Sequence, residues 1–174
     1  REPRLRALLV DDYPLHEPAV ARLFLERIAL IYRRHEGLGI WHASALRPDP
    51  VFAGWFNLMP MLERPGEVEI GGRLLPSMWG GGLALEGAEL MLDHALELGV
   101  PHVWGICHPD NRSAVAVLAA MGFESHGVQP YTGKPALWHR IELNAWRELR
   151  NTPRATRLRQ ALRTLATRRA GTHA

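Results

Sequence analysis

The stretch from Glu67 to Gly99 limits the fold more than any other. Val68, Ile70 and Leu74 alternate along Glu67–Leu75, which reads as a strand ended by Pro76. Trp79-Gly80-Gly81-Gly82 comes next, and then a helical pattern from Leu83 to Leu98, closed by Gly99 with Pro101 beyond it. A helix start presents unpaired N–H groups and a partial positive charge. Glycine lets a backbone approach an anion closely. A strand, glycine loop and helix in that order are either a phosphate cradle or a plain turn. No Gly-Lys-Ser/Thr succeeds the loop, so it is not of the Walker type, and the spacing is not that of the dinucleotide fingerprint.

The remaining elements fall on both sides of this unit. Arg4 to Val10 reads as a short strand, with Asp11 and Asp12 as caps for the next helix. Val20, Leu23, Phe24, Ile28 and Ile31 mark that amphipathic helix over Glu17–His35. Gly39–Leu46, Val51–Met59 and Glu67–Leu75 form an antiparallel meander, separated by Pro48-Asp49-Pro50 and Pro65-Gly66. After the helix over Leu83–Leu98 come a strand at His102–Cys107, the turn His108-Pro109-Asp110-Asn111 and a helix at Arg112–Met121. Phe123–Val128 and Ala136–Leu143 read as two strands around a Pro/Gly loop. The chain turns helical again from Asn144, breaks at Pro153 and runs on as a basic helix to about Arg169. The order is strand, helix, three strands, helix, strand, helix, two strands. That is an α+β chain with a mixed sheet of about seven strands, not a doubly wound parallel one. We divide it into a body, residues 1–143, and a basic helical extension, residues 144–174.

Composition excludes several classes. With 174 residues and 47% hydrophobic side chains, one domain can bury a core unaided. One cysteine forms no internal disulfide, and no zinc spacing is present. No apolar run reaches the ~18–20 residues of a membrane helix, and Arg1-Glu2-Pro3-Arg4 does not open a secretory signal. The expected setting is a reducing, cytoplasmic one. Residues 1–139 carry 12 basic and 16 acidic side chains, whereas residues 140–174 carry 9 Arg against Glu142 and Glu148. Such a tail can dock on the body, bind a polyanion or fray. Leu158, Ala161, Leu162 and Leu165 favour docking, and no interleaved aromatics favour nucleic acid.

Two spaced motifs then meet on these elements. One is Glu69-Ile70-Gly71-Gly72-Arg73-Leu74-Leu75-Pro76 with Trp79-Gly80-Gly81-Gly82-Leu83-Ala84. The other is His108-Pro109-Asp110-Asn111 with Gly122-Phe123 eleven residues on. Together they resemble the acetyl-CoA-binding segments of the GNAT superfamily of N-acetyltransferases. The branch they resemble contains the ribosomal-protein N-terminal acetyltransferases. The resemblance spans about residues 4–143 and implies a central, mostly antiparallel mixed sheet flanked by helices. It implies that backbone at Leu74 and Leu75 holds the pantetheine arm. The N–H groups around Trp79, Gly80, Gly81, Gly82, Leu83 and Ala84 hold the pyrophosphate, and Asn111 reaches the pantetheine near the thioester. The chain departs from the pattern at Gly81, where a basic residue is usual, and at Gly72, where an aromatic is usual. Ala114 stands at a usual serine, and Leu118 where many members place a tyrosine acid.

Glu67 and Glu69 share one strand face. They are either solvated charges or, given the resemblance, Glu69 is the general base and Glu67 a neighbour of the acceptor. Ser113 is the second catalytic candidate, with Tyr131 and Cys107 as other sources of a proton. Trp41, Trp55 and Tyr131 are candidates to wall the acceptor pocket. The implied activity is acetyl transfer from acetyl-CoA to a primary amine, on a protein N-terminus or a small molecule, by direct attack in a ternary complex. No metal is implied. The alternatives are a non-catalytic acyl-CoA sensor of the same fold, or a polyanion binder using the Arg-rich tail. A homodimer is left open; neither a membrane nor nucleic acid is the expected partner.

Overall fold

The computed structural model describes residues 3–10, 16–46 and 49–171. Asp11, Asp12 and Pro48, read above as caps and turn, lie outside the described residues. The helices are α1 (Pro3–Arg6), α2 (Pro18–Arg34), α3 (Leu83–Glu97), α4 (Arg112–Ala120), α5 (Leu143–Leu149) and α6 (Arg154–Gly171). The strands are β1 (Gly39–Ala45), β2 (Val51–Pro60), β3 (Val68–Leu74), β4 (His102–Cys107), β5 (Glu124–Tyr131) and β6 (Lys134–Glu142). They form one sheet in the order β1-β2-β3-β4-β6-β5. β3 and β4 run parallel, and the other neighbours antiparallel.

Among the described residues the sheet has six strands rather than seven. The expected first strand, Arg4–Val10, begins as the helical turn α1 instead. Pro3 opens that turn at a position suited to proline, and Arg, Leu and Ala are good helix formers. Val10, at the end of the segment, is buried beside Met61, Trp104, Ala136 and Trp138.

Strand register assigns the two faces. Trp41, Phe56 and Gly72 lie side by side in one row, and Ile40, Asn57 and Gly71 in the next. The first row faces α3. A Cβ on Gly87 of α3 would sit 2.1 Å from the Phe56 ring, and one on Gly72 would sit 2.7 Å from it. The phenyl ring therefore fills the space that side chains at both glycines would need. The second row faces away from α3. By alternation that face also carries Trp55, Met59, Glu69 and Arg73.

The extension packs on the body. Leu143 and Trp146 of α5 and Ala161 of α6 are buried in the main core with Leu92, Met121 and Ile141. Arg157, 4% exposed, pairs with Glu89 of α3, donates to the Thr152 carbonyl at 3.1 Å and stacks 5.0 Å over Trp146.

Candidate active site

β3 and β4 separate halfway along their length. Their pairing consists of Glu69↔Trp104 and Ile70↔Gly105. β3 nonetheless stays with β2 as far as Gly54↔Leu74, and β4 stays with β6 as far as Cys107↔Leu137. Beyond Ile70 the β4-side edge of β3 has no strand partner among the described residues. A cleft of about 440 Å³ opens there, lined by Gly71 to Leu74 on one wall and Gly105 to Cys107 on the other. An extended ligand with amide groups can pair with such an edge as a strand would.

Two helix starts close one end. Gly80 (φ 83°) and Gly82 (φ 81°) adopt left-handed backbone that favours glycine. Gly82 is the N-cap of α3, with no side-chain cap bond. A Cβ at Gly80, Gly81 or Gly82 would meet nothing within 4 Å. The Leu85 and Glu86 N–H groups bond the Gly82 carbonyl, which leaves those of Leu83 and Ala84 without an intrahelical partner, a geometry suited to an anion. Gly80, Gly82, Leu83, Ala84 and Trp79 line the cleft; Gly81 and Leu75 lie outside its lining. The Leu75 N–H is bonded to the Ala53 carbonyl, and the Leu74 carbonyl accepts from Trp79 Nε1 at 3.0 Å. At α4, Asn111 Oδ1 accepts from the Ala114 N–H at 3.0 Å. That leaves Nδ2 as the polar atom of Asn111 available to the cleft it lines.

Glu69 stands where the two strands part. The Tyr131 hydroxyl donates to its carboxylate, 2.9 Å from one oxygen and 3.2 Å from the other. Both residues line the cleft. Tyr131 ends β5, and its ring meets Trp138 edge-on at 5.8 Å. The hairpin tip is tied down beside it: Thr132 Oγ1 donates to the Val10 carbonyl at 3.1 Å and the Thr132 N–H to Glu63 at 3.3 Å.

Other sequence candidates take different places. Glu67 lies outside the cleft lining and is bonded to His102 and to Trp104 Nε1. Burial raises its pKa, but those hydrogen bonds and the charges of His102 and Arg140 outweigh it and hold the carboxyl below its usual range. Trp41 sits on the α3 face, edge-on to His94 at 5.3 Å. Trp55, on the opposite face, lines the cleft beneath the Arg73 guanidinium at 5.1 Å. Ser113 lines it from the first turn of α4. Cys107 also lines it, but burial pushes its thiol up to about 11. A neutral thiol is a poor nucleophile.

Sequence reasoning missed the Glu69–Tyr131 contact and the contribution of α2. Phe24 and Arg27 of α2 complete the wall, with Asn57 of β2. A signal for Arg27 existed. It lies three residues after Phe24 and four before Ile31, a charge inside the apolar stripe of the helix.

A split between parallel strands, capped by a glycine-rich helix start and flanked by a carboxylate, is a cleft suited to an extended ligand with an anionic end. The Acetyltransferase (GNAT) domain family matches residues 5–124, and the chain belongs to that family. An FsC-acetyl coenzyme A-N(2)-transacetylase of Aspergillus fumigatus is 36% identical over 94 residues. That match covers 49% of this chain and only 39% of the relative's length. Among solved structures, the ribosomal-protein-S5-alanine acetyltransferase of Vibrio fischeri has a TM-score of 0.65 at 14% identity, covering 82% of each chain. RimJ of Mycobacterium smegmatis, in complex with CoA-disulfide, has a TM-score of 0.64 at 19% identity, covering 91% of this chain and 78% of its own. At these identities the structural likeness is one of fold. Among the described residues no helix is long and apolar enough to cross a membrane, and no cluster of His, Cys, Asp and Glu could hold a metal ion.

Proposed function

We propose that this chain transfers an acetyl group from acetyl-CoA to a primary amine, directly, within a ternary complex. The observation that carries the reading is Glu69, a carboxylate lining the cleft at the point where β3 and β4 part. In this reading the pyrophosphate takes the N–H groups from Gly80 to Ala84. The pantetheine runs along the open edge of β3 between Gly71 and Leu74, and Asn111 Nδ2 meets it from α4. The thioester then lies within the split, between Glu69 and the start of α4.

The acceptor is an ammonium ion at neutral pH and cannot attack. Glu69 takes one proton from it. The amine lone pair then forms the C–N bond at the thioester carbonyl, and the C–S bond breaks. The second amine proton is surplus in the amide and balances the departing thiolate. Ser113 is the hydroxyl proposed to relay it. Cys107, neutral and buried, takes no covalent part.

Titration calorimetry with acetyl-CoA and desulfo-CoA, then a transfer assay on Glu69→Gln, tests the reading. Micromolar binding is expected from both proteins, with turnover in the variant lower by about 10²–10⁴-fold, the usual weight of a general base. Absence of CoA binding, or an undiminished rate in the variant, overturns it. A second reading, acyl-CoA sensing without transfer, draws on Gly81 and Leu118, where the resemblance places a basic residue and a tyrosine. It predicts CoA binding with no amine acetylated.

A further inference from the structure

We infer that the acceptor is a small primary amine that itself carries a carboxylate, and that Arg27 receives that carboxylate. The inference rests on the acetyl-transfer reading and names the substrate class of the same site.

Arg27 lines the same cleft as the proposed base. The row Ile40, Asn57 and Gly71 shares a sheet face with Glu69, and that face points away from α3. Ile40, Asn57, Gly71 and Glu69 line the cleft together with Phe24 and Arg27 of α2. The phosphate cradle lies at the start of α3 instead. Arg27 stands on α2, an element separate from the glycine loop and α3 start that form the proposed CoA anchor.

Its chemistry is unspent. Arg27 is half-buried. Among the described residues it makes no hydrogen bond or ion pair. Other arginines of comparable or deeper burial are engaged. Arg157 pairs with Glu89, Arg140 with Glu142 at 2.8 Å, and Arg64 bonds Gln129 while stacking on Trp104 and Trp138. A guanidinium drawn partly out of water in a cleft wall is stabilised by an anion. Its planar fork matches a carboxylate with two parallel hydrogen bonds. Arg73 places a second positive group on the same wall. Glu69 attracts an ammonium and Arg27 a carboxylate, so the pair complements a zwitterion.

The size of the acceptor is limited by the cleft, whose volume of about 440 Å³ must hold the pantetheine arm as well. Leu8 to Val10 line the cleft, and Thr132 Oγ1 fastens the Val10 carbonyl to the hairpin tip at 3.1 Å. That tie holds the segment against the hairpin that carries Tyr131.

The experiment compares kcat/KM for each proteinogenic α-amino acid with that for its own α-amide, and includes spermidine and an alanine-initiated peptide. Wild type, Arg27→Gln and Arg27→Lys are assayed, and acetyl-CoA binding is measured by calorimetry in each. At least one amino acid should outrun its amide by about tenfold to a hundredfold, the range for hydrogen bonds to a charged group. Arg27→Gln should abolish that preference with acetyl-CoA affinity unchanged, and Arg27→Lys should keep part of it. Amides, spermidine or the peptide turning over as well as any acid would overturn the inference. So would an Arg27→Gln protein that still discriminates. Loss of CoA binding in wild type, or binding with no amine acetylated, would instead sink the acetyl-transfer reading beneath it.

Discussion

Tyr131 sets the terms on which Glu69 can act. A phenol donating to a carboxylate stabilises its charged form and fixes its rotamer. With the hydroxyl within reach of both oxygens, Tyr131 is a positioning residue for the proposed base. Tyr131→Phe keeps the ring and its edge contact with Trp138 but deletes the donor. We expect kcat to fall about tenfold, from one lost hydrogen bond to a charged group. The acidic limb of the kcat/KM profile should move to higher pH, while the KM for acetyl-CoA stays put. An unmoved limb would show that the contact only packs the hairpin. Glu69 was legible in the sequence because strand alternation places it opposite a core-facing row. Its partner was not, because the contact joins residues 62 apart and depends on how far a hairpin extends.

At the scale of elements, that hairpin is the instructive case. The sequence pattern ends the first strand at Val128 and begins the second at Ala136, with Pro130 to Pro135 as a loop. The strands instead run to Tyr131 and from Lys134, joined by Thr132 (φ 48°) and Gly133 (φ 79°). Two left-handed residues make a tight turn of the twist that antiparallel strands require. Pro130 faces Pro135 across the ladder. In a two-residue hairpin that pair comes after the hydrogen-bonded one, so neither proline forfeits a ladder bond. Proline in a sequence signals the end of a strand, and here its position in the register makes it harmless. The helices and the meander were easier, because Gly37, Gly99, Gly122 and Pro76 mark their ends. Helix α3 carries the next prediction. In an exposed helix Gly→Ala gains up to about 1 kcal/mol, but at Gly87 the new Cβ meets the Phe56 ring at 2.1 Å. Overpacking typically costs about 1–3 kcal/mol, so Gly87→Ala should lower the Tm by several degrees. Because α3 and the anion cradle move together, it should also weaken CoA binding. Adding Phe56→Leu should recover part of both, as contacting sites couple. Strict additivity in a double-mutant thermal melt would reject the slot.

At the scale of the whole molecule, the unequal charge of body and tail becomes an internal interface. Glu89 of α3 takes Arg154 and Arg157 of α6. Asp93, one turn on, takes Arg150 at 3.0 Å and Trp146 Nε1 at 2.9 Å. The tail thus braces the helix whose start forms the proposed phosphate cradle. Composition revealed the charge split but not its purpose, since partners in α3 and α6 lie more than sixty residues apart. Arg157 is almost wholly buried, so Glu89→Gln leaves an uncompensated charge. Breaking a buried pair this way costs about 3–5 kcal/mol, or roughly 10 °C in Tm for a chain of this size. The pH dependence is a matter of signs. Burial raises the Glu89 pKa, but Arg154 and Arg157 outweigh it and hold it below the usual 4.5. Burial pushes His139 below its usual 6.5 despite opposing backbone hydrogen bonds. A folded-state pKa below the unfolded value means that the unfolded chain binds the proton first. Stability is therefore complete above the unfolded value and drains as pH falls toward the folded one. Thermal melts should be flat between about pH 7 and 9. They should decline above about 9, because burial holds the Cys107 thiol up to about 11 and the unfolded chain ionises first. They should decline below about 6.5 as His139 begins to favour the unfolded chain, and again below 4.5 as Glu89 and Glu67 take up protons. In Glu89→Gln the neutral-pH Tm drops and the carboxylate decline becomes shallower, whereas His139→Gln removes only the histidine one. A Glu89→Gln protein with the wild-type acid profile would mean that the tail is held by its apolar face alone, through Leu158 and Ala161.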